Sequence, residues 1–320
     1  MALTILARRR ALVLAMAGAA AAFAPAAVQA QAATIRIGQN ANDAFGEGFY
    51  AADLGSFKAA GLNVEVSTFP NGAAQAAACA GGAIDVGLGE ATELANGIAR
   101  GLPFAVFAGG TLYDSAAPIS ALCVAMQSPI RSAKDFEGQA IAVPALISLS
   151  SMAVKGWLVK NGADLTKVRF IELTQAAMTA GVERGTVAAA HIGEPQLSAF
   201  TATSTATLRR IATPYDAIGK QFLVNEWFAT RDWLAANAAT VKTLVGVIYA
   251  TARWANAHHD ESAAILSKYS RIDVDRIRGM NRARYATALD PRMIQPVLNL
   301  AYTYGGLPRH FDAAELIARS

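Results

Sequence analysis

From residue 34 onward the apolar positions follow two alternating rhythms. In TIRIGQ, Ile35 and Ile37 alternate with polar neighbours, the period-two pattern of a half-buried strand. A loop carrying Asn40, Asn42, Asp43 and Gly46 leads into a helical pattern over about 47–60, which Gly61 ends as a C-terminal glycine does. LNVEVSTF predicts the next strand and residues 73–80 the next helix. GGAIDVGLGEATELANGIARGLPFAVFAG then reads as strand, turn, helix, turn and strand. Strands that alternate with helices predict an α/β protein with largely parallel sheets.

A second unit begins near Gln139 and parallels the first. TIRIG corresponds to QAIAV, and the following strands, LNVEV and VRFIE, both start 27 residues on, at Leu62 after Ile35 and at Val168 after Ile141. Later, GGAIDVGLGEAT corresponds to RGTVAAAHIGEP, and each short apolar strand ends in Gly-Glu, at Gly89-Glu90 and Gly193-Glu194. Three likenesses in the same order predict two similar lobes. A further short strand is expected at about 222–228. From about Trp233 the pattern is helical, with Leu244, Val247, Ile248 and Thr251 on one face. These tail helices are expected to pack back on the first lobe.

Length and composition agree with this. The chain has 320 residues, 53% hydrophobic and 16% charged, which suits two lobes and excludes disorder. Its start needs a separate reading. Arg8, Arg9 and Arg10 precede an apolar stretch over 11–24, and Val28-Gln29-Ala30 follows with small residues at the cleavage positions. This is the pattern of a secretory signal peptide over residues 1–30. No Cys lies at the cleavage zone, which speaks against a lipid anchor. Removing the segment takes three Arg with it, so the formal net charge falls from +4 to +1. A near-neutral chain without a basic run speaks against nucleic acid. Cys79 sits in an Ala-rich helical pattern and Cys123 in an apolar strand. Two separate buried thiols and a disulfide both remain open.

In open α/β sheets, ligands bind beyond the carboxyl ends of strands, where free N–H groups and helix dipoles favour anions and polar oxygens. Residues 40–45, 89–92, 146–151 and 193–195 would face such a cleft, and Trp227 in DAIGKQFLVNEW offers an aromatic wall. Each also has a purely structural reading. Ser148, Ser150 and Ser151 are N-cap types. Glu90 opens a helix, where a carboxylate suits the dipole with or without a ligand. Glu194 before Pro195 fits a turn, and Tyr113 fits packing between lobes. Catalytic and metal patterns do not emerge. His258 and His259 are adjacent on a helix and diverge, while His191 and His310 have no spaced second ligand. There is no G-x-S-x-G elbow, and GGAIDVGLG lacks the phosphate-loop Lys.

Several segments together resemble the periplasmic substrate-binding proteins of ABC importers. The group in question includes aliphatic sulfonate, taurine and nitrate binders and relatives of thiamine-pyrimidine precursor proteins. FYAADLGSFKAAGLNVEV, GGAIDVGLGEATELANGIARGLPFAVFAG and SPIRSAKDFEGQAIAVP carry the likeness. VKGWLVKNGADLTKVRFIEL, GEP and WFATRDWLAANAATV complete it, over roughly residues 34–255. The resemblance implies a type II-like, two-lobe periplasmic binding protein. Each lobe would be a mixed, mostly parallel sheet flanked by helices, with a cleft between lobes that closes by hinge bending. Residues 34–120 with 225–320 would form lobe one and 121–224 lobe two, with crossovers near 122–126 and 222–228.

It also implies that the loop after the first strand, 90–92, 148–151 and Glu194 line the cleft. The expected polar contacts are Asn42, Asp43, Glu90, Thr92, Ser148, Ser150 and Glu194, and the expected walls are Phe45, Tyr113 and Trp227. No Arg or Lys lies in the four cleft segments, which departs from an anion clamp. A charged Glu left unpaired on closure is costly, so two carboxylates favour a ligand with an amine, amide or ring N–H. The expected role is that of a secreted, periplasmic, monomeric binder. It would capture a small polar organic molecule and deliver it to an ABC permease of the inner membrane, without catalysis, cofactor or metal. A sensor that presents its ligand to a membrane receptor would have the same cleft. Enzymes resembling these binders carry a cysteine-rich motif, which two isolated Cys do not supply.

Overall fold

In the computed structural model, β1 (Ile35–Gln39), α1 (Glu47–Asp53), α2 (Ser56–Ala59), β2 (Val64–Thr68), α3 (Gly72–Ala80), β3 (Val86–Gly89), α4 (Ala91–Ala99) and β4 (Phe104–Gly109) come first. A short β5 (Thr111–Asp114) precedes β6 (Ser120–Ala125), β7 (Ala140–Val143), α5 (Leu149–Lys160), β8 (Arg169–Glu172), α6 (Gln175–Glu183), β9 (Ala189–Gly193), α7 (Gln196–Thr201) and β10 (Leu208–Ala212). β11 (Gln221–Leu223), β12 (Glu226–Thr230), α8 (Arg231–Ala236), α9 (Ala238–Ala257), α10 (His259–Ser270), α11 (Val274–Arg278), β13 (Arg284–Tyr285), α12 (Pro291–Thr303) and α13 (Ala313–Leu316) complete the order. The structure describes residues 33–202 and 205–318. The signal peptide assigned to residues 1–30 lies outside the described residues. None of the helices described is long and apolar enough to cross a membrane.

Two five-stranded sheets share one plan. The first runs β2-β1-β3-β12-β4, with β1 parallel to β2 and β3, and β12 antiparallel to β3 and β4. The second runs β8-β7-β9-β6-β10, with β7 parallel to β8 and β9, and β6 antiparallel to β9 and β10. The sequence repeat is visible here as β1 matching β7, β2 matching β8 and β3 matching β9. The inner strands VGLG and AIAV are buried at every position. Helices cover both faces of such parallel strands, so they read as continuous apolar runs. Gly61 closes α2 as expected. It sits at φ 76°, and its N–H and that of Leu62 reach back to the carbonyls of Lys58 and Phe57.

A third, three-stranded antiparallel sheet, β11-β5-β13, holds the connections between the other two. The crossovers therefore run through β5 and β11. The expected crossover at 122–126 falls largely on β6, inside the second sheet, and 222–228 divides between β11 and β12. Asn225 fastens this region to the loop after β1. Its Oδ1 accepts from the Thr111 N–H at 2.8 Å, and its Nδ2 donates to the Ala44 carbonyl at 2.8 Å. Gly110 permits the approach, since a Cβ there would lie 2.3 Å from the Asn225 Oδ1.

The tail helices divide in their packing. α9 and α10 pack on α1, beside the first sheet, as expected. α12 instead packs on both α4 and α5. Leu94, Leu149, Met152, Ile294 and Leu298 consequently share one apolar cluster that spans the two halves. Gly156 on α5 makes room, because a Cβ there would lie 3.1 Å from Leu300 and 3.2 Å from Tyr304. Cys79 and Cys123 are separate, buried thiols.

Candidate ligand-binding site

The four strand-end segments read from the sequence meet around one cavity of about 100 Å³. An engineered cavity of about 150 Å³ holds benzene, so the space as it stands suits a molecule of that size or smaller. Loops after β1, β3, β7 and β9 supply most of the lining, and Pro70–Gly72 after β2 and Gln175 after β8 add to it.

From the first sheet come Asn42, Asp43, Phe45 and Glu90. The Asn42 Oδ1 is buried without a hydrogen-bond partner. Phe45 is a buried apolar wall. Asp43 is committed elsewhere. Its Oδ1 accepts from Arg282 Nη2 at 2.9 Å and from the Tyr50 hydroxyl at 3.1 Å, and both ion-pair side chains are almost fully buried. Glu90 precedes α4, and its Oε2 accepts from the N–H of Leu149, the first residue of α5, at 2.8 Å. That bond joins the halves of the molecule across the cavity.

Glu93, one helical turn beyond Glu90, is an addition to the expected contacts. Its Oε2 is buried without a partner. Gly72 leaves room for it, since a Cβ there would lie 2.2 Å from that oxygen and displace the carboxyl. Burial raises the proton affinity of both carboxyls, and the Glu90 charge raises that of Glu93 further. Glu226 on β12, buried behind the lining, is raised well above the usual carboxylate range by burial first and by the charges of Glu90 and Glu93 after it. A helix places residues three apart on one face, so the spacing of Glu90 and Glu93 is the sequence signal that points to it.

The second sheet contributes Ser148, Ser150 and Glu194. Ser148 is the N-cap of α5. Its Oγ accepts from the Ser151 N–H at 3.2 Å and donates to the Ala145 carbonyl at 2.9 Å. The capping reading therefore holds while Ser148 also lines the cavity. Ser148→Ala is expected to cost about 1 kcal/mol of stability, measured by urea denaturation. Ser150 Oγ lies 3.3 Å from the Tyr215 hydroxyl. Glu194 accepts from the Ser198 N–H at 2.9 Å and the Ser198 hydroxyl at 2.7 Å, with Arg210 at 3.7 Å.

His191 and Gln175 complete this side, and each carries a buried atom without a partner, Nε2 and Oε1 respectively. Burial pushes His191 down to about 4, so its ring is neutral at neutral pH. In sequence His191 stands at a strand end without a metal partner, and that alone does not mark it as a lining residue. Its two-residue offset from Gly193 puts both on one side of β9.

Three expected residues do not line the cavity. Thr92 is fully buried on α4. Tyr113 stacks on Phe222 at 4.9 Å, and its hydroxyl donates to Asp216 at 3.0 Å, so it packs behind the lining Tyr215. Trp227 is an interior residue. It is fully buried in an apolar cluster with Ile37, Leu88 and Ile248, and its Nε1 donates to Glu47 Oε2 at 2.8 Å. The resulting cavity has carboxyls from Asp43, Glu90, Glu93 and Glu194 and no Lys or Arg in its lining.

A family model described as NMT1/THI5 like matches residues 42–262. No curated protein matches the chain in sequence. Solved structures do match in fold. The periplasmic aliphatic sulphonate binding protein SsuA from Escherichia coli superposes with a TM-score of 0.73 at 21% identity, over 89% of this chain and 97% of that one. The alkanesulfonate-binding protein SsuA from Xanthomonas axonopodis pv. citri, bound to MOPS, gives 0.75 at 19%, over 91% and 100%. The periplasmic nitrate-binding protein NrtA from Synechocystis PCC 6803 gives 0.71 at 16%, over 90% and 86%. These likenesses identify a two-lobe, periplasmic-binding-protein fold.

Proposed function

Because this chain belongs to the NMT1/THI5-like family, we propose that it is a solute-binding protein of an ABC importer. It captures a small polar organic molecule between its lobes and delivers it to a permease in the inner membrane. In this reading the mature chain is periplasmic and monomeric. Residues 34–120 with 225–320 form one lobe and 121–224 the other, which close on the ligand by hinge bending. Asn42, Glu90, Glu93, Ser150, Gln175 and His191 make the polar contacts, and Phe45 is the apolar wall.

The observation that carries this reading is the charge balance of the cavity. Asp43 and Glu194 already have donors, whereas Glu93 Oε2, Asn42 Oδ1 and Gln175 Oε1 have none. Buried acceptors without partners are costly. A ligand with an amine, amide or ring N–H removes that cost, and an inorganic anion does not. A calorimetric panel of small amines, amino-heterocycles, sulfonates and nitrate tests this. Donor-bearing compounds of about benzene size are expected to bind. A cationic amine stabilises the ionised Glu93, so Glu93→Gln is expected to weaken the best amine by about 10- to 100-fold, the range for a hydrogen bond to a charged group. Binding of inorganic anions alone, or an unchanged affinity in the variant, would count against the reading.

A further inference from the structure

The N-terminus of α5, a helix of 12 residues, is where an anion would be held in this cavity, and a side chain of the protein is already there. Glu90 reaches over from the start of α4, and its carboxylate accepts from the Leu149 N–H at 2.8 Å. Ser148 satisfies the Ser151 N–H from the other side. Around this contact the cavity lining includes buried polar atoms of Asn42, Gln175 and His191 that have no protein partner.

We propose that Glu90 is a built-in anion: it fills the anion-holding end of α5 and thereby excludes small anionic solutes from the cavity. The solved structures of similar fold include proteins named for sulfonate and nitrate binding. Here the corresponding chemistry is performed by a tethered carboxylate, and the cavity is left to a solute of the opposite kind. Glu93, one turn further along α4, adds a second carboxyl to the lining, and no Lys or Arg stands there to meet an incoming anion. Truncating Glu90 removes the resident carboxyl and leaves the Leu149 N–H open beside the hydroxyls of Ser148 and Ser150. The inference rests on this cavity being the binding site.

The test is chemical rescue. Wild type, Glu90→Ala and Glu90→Ser are heated with sodium acetate or sodium methanesulfonate, using sodium chloride and acetamide as controls, and affinities are then measured by calorimetry. At about 50 mM acetate the truncated variants are expected to gain roughly 3 °C in thermal midpoint over the chloride control, as for a site filled in the low-millimolar range. Wild type is expected to gain nothing. Wild type binding either anion below about 1 mM, or folded variants gaining no more from acetate than from acetamide, would overturn the proposal. The wild-type arm stands even where a variant does not fold. Failure of wild type to bind any donor-bearing solute counts against the proposed function and leaves the anion measurements intact.

Discussion

Arg282→Met is expected to lower stability by about 3–5 kcal/mol, the cost of breaking a buried ion pair from one side. Asp43 and Arg282 are 1% and 6% exposed at the side chain, too little for water to replace a lost partner. The guanidinium also donates to the His259 carbonyl at 2.7 Å and to the Ser262 hydroxyl at 3.1 Å, so its loss also unties α10 from the loop that carries Asp43. Truncating one partner leaves an uncompensated charge, whereas replacing both by apolar groups is often close to neutral. The double variant Asp43→Leu with Arg282→Met is therefore expected to recover much of the loss. Urea denaturation of the three variants measures both effects. A single-variant cost below about 1 kcal/mol, the scale of an exposed pair, would contradict the burial argument. Asp43 anchors the loop that carries Asn42 and Phe45, so ligand affinity is expected to fall along with stability.

Raising the pH from 6.5 to about 8 is expected to lower the thermal midpoint. Glu47 is pushed up to about 8, chiefly by burial and despite its bond from Trp227. Its folded form keeps a proton that the unfolded chain releases near 4.5. A carboxyl raised in this way contributes stability below 4.5, and that contribution is lost as the pH rises towards 8. Glu226, Glu90 and Glu93 are raised as well and act in the same direction.

His191 acts in the opposite sense, but in a lower window. Pushed down to about 4, it contributes stability above 6.5 that is lost as the pH falls towards 4. From 6.5 upward the raised carboxyls therefore outweigh His191. Glu47 by itself contributes about 2 kcal/mol over that range at about 1.4 kcal/mol per pH unit, or roughly 4 °C. Glu226→Gln is expected to raise the midpoint at pH 8 and to flatten the profile. A midpoint that stays level or rises between 6.5 and 8 would contradict the assignment of these carboxyls.

How much of the molecule is legible in the sequence depends on which signals are local. The loops after β1, β3, β7 and β9 are legible because a period-two run and a change to helical spacing mark each strand end. The repeat is legible because β1, β2 and β3 recur as β7, β8 and β9 in the same order. Orientation within an element is harder. Trp227 follows a polar residue in a short strand, and only side chains distant in sequence, Ile37 of β1 and Ile248 of α9 among them, show that its ring is buried. Tyr113 is expected as a cleft wall, yet its ring is turned onto Phe222 and its hydroxyl onto Asp216. Glu93 and His191 are within reach of simple spacing rules, but Glu90 and the absence of a metal pattern overshadow them. The Asp43 partner is out of reach, since Arg282 lies 239 residues away.

The placing of β12 has a consequence for the order in which the molecule can be completed. Among the described strands, β4 pairs only with β12, and β12 is synthesised after every strand of the second sheet. A chain emerging from its N-terminus therefore holds β4 with no strand beside it until residues 226–230 arrive. The second sheet, by contrast, is built wholly from residues 120–212, one unbroken stretch. The half of the protein made first is thus the half finished last. Over that interval its open sheet edge is the surface most exposed to wrong pairing.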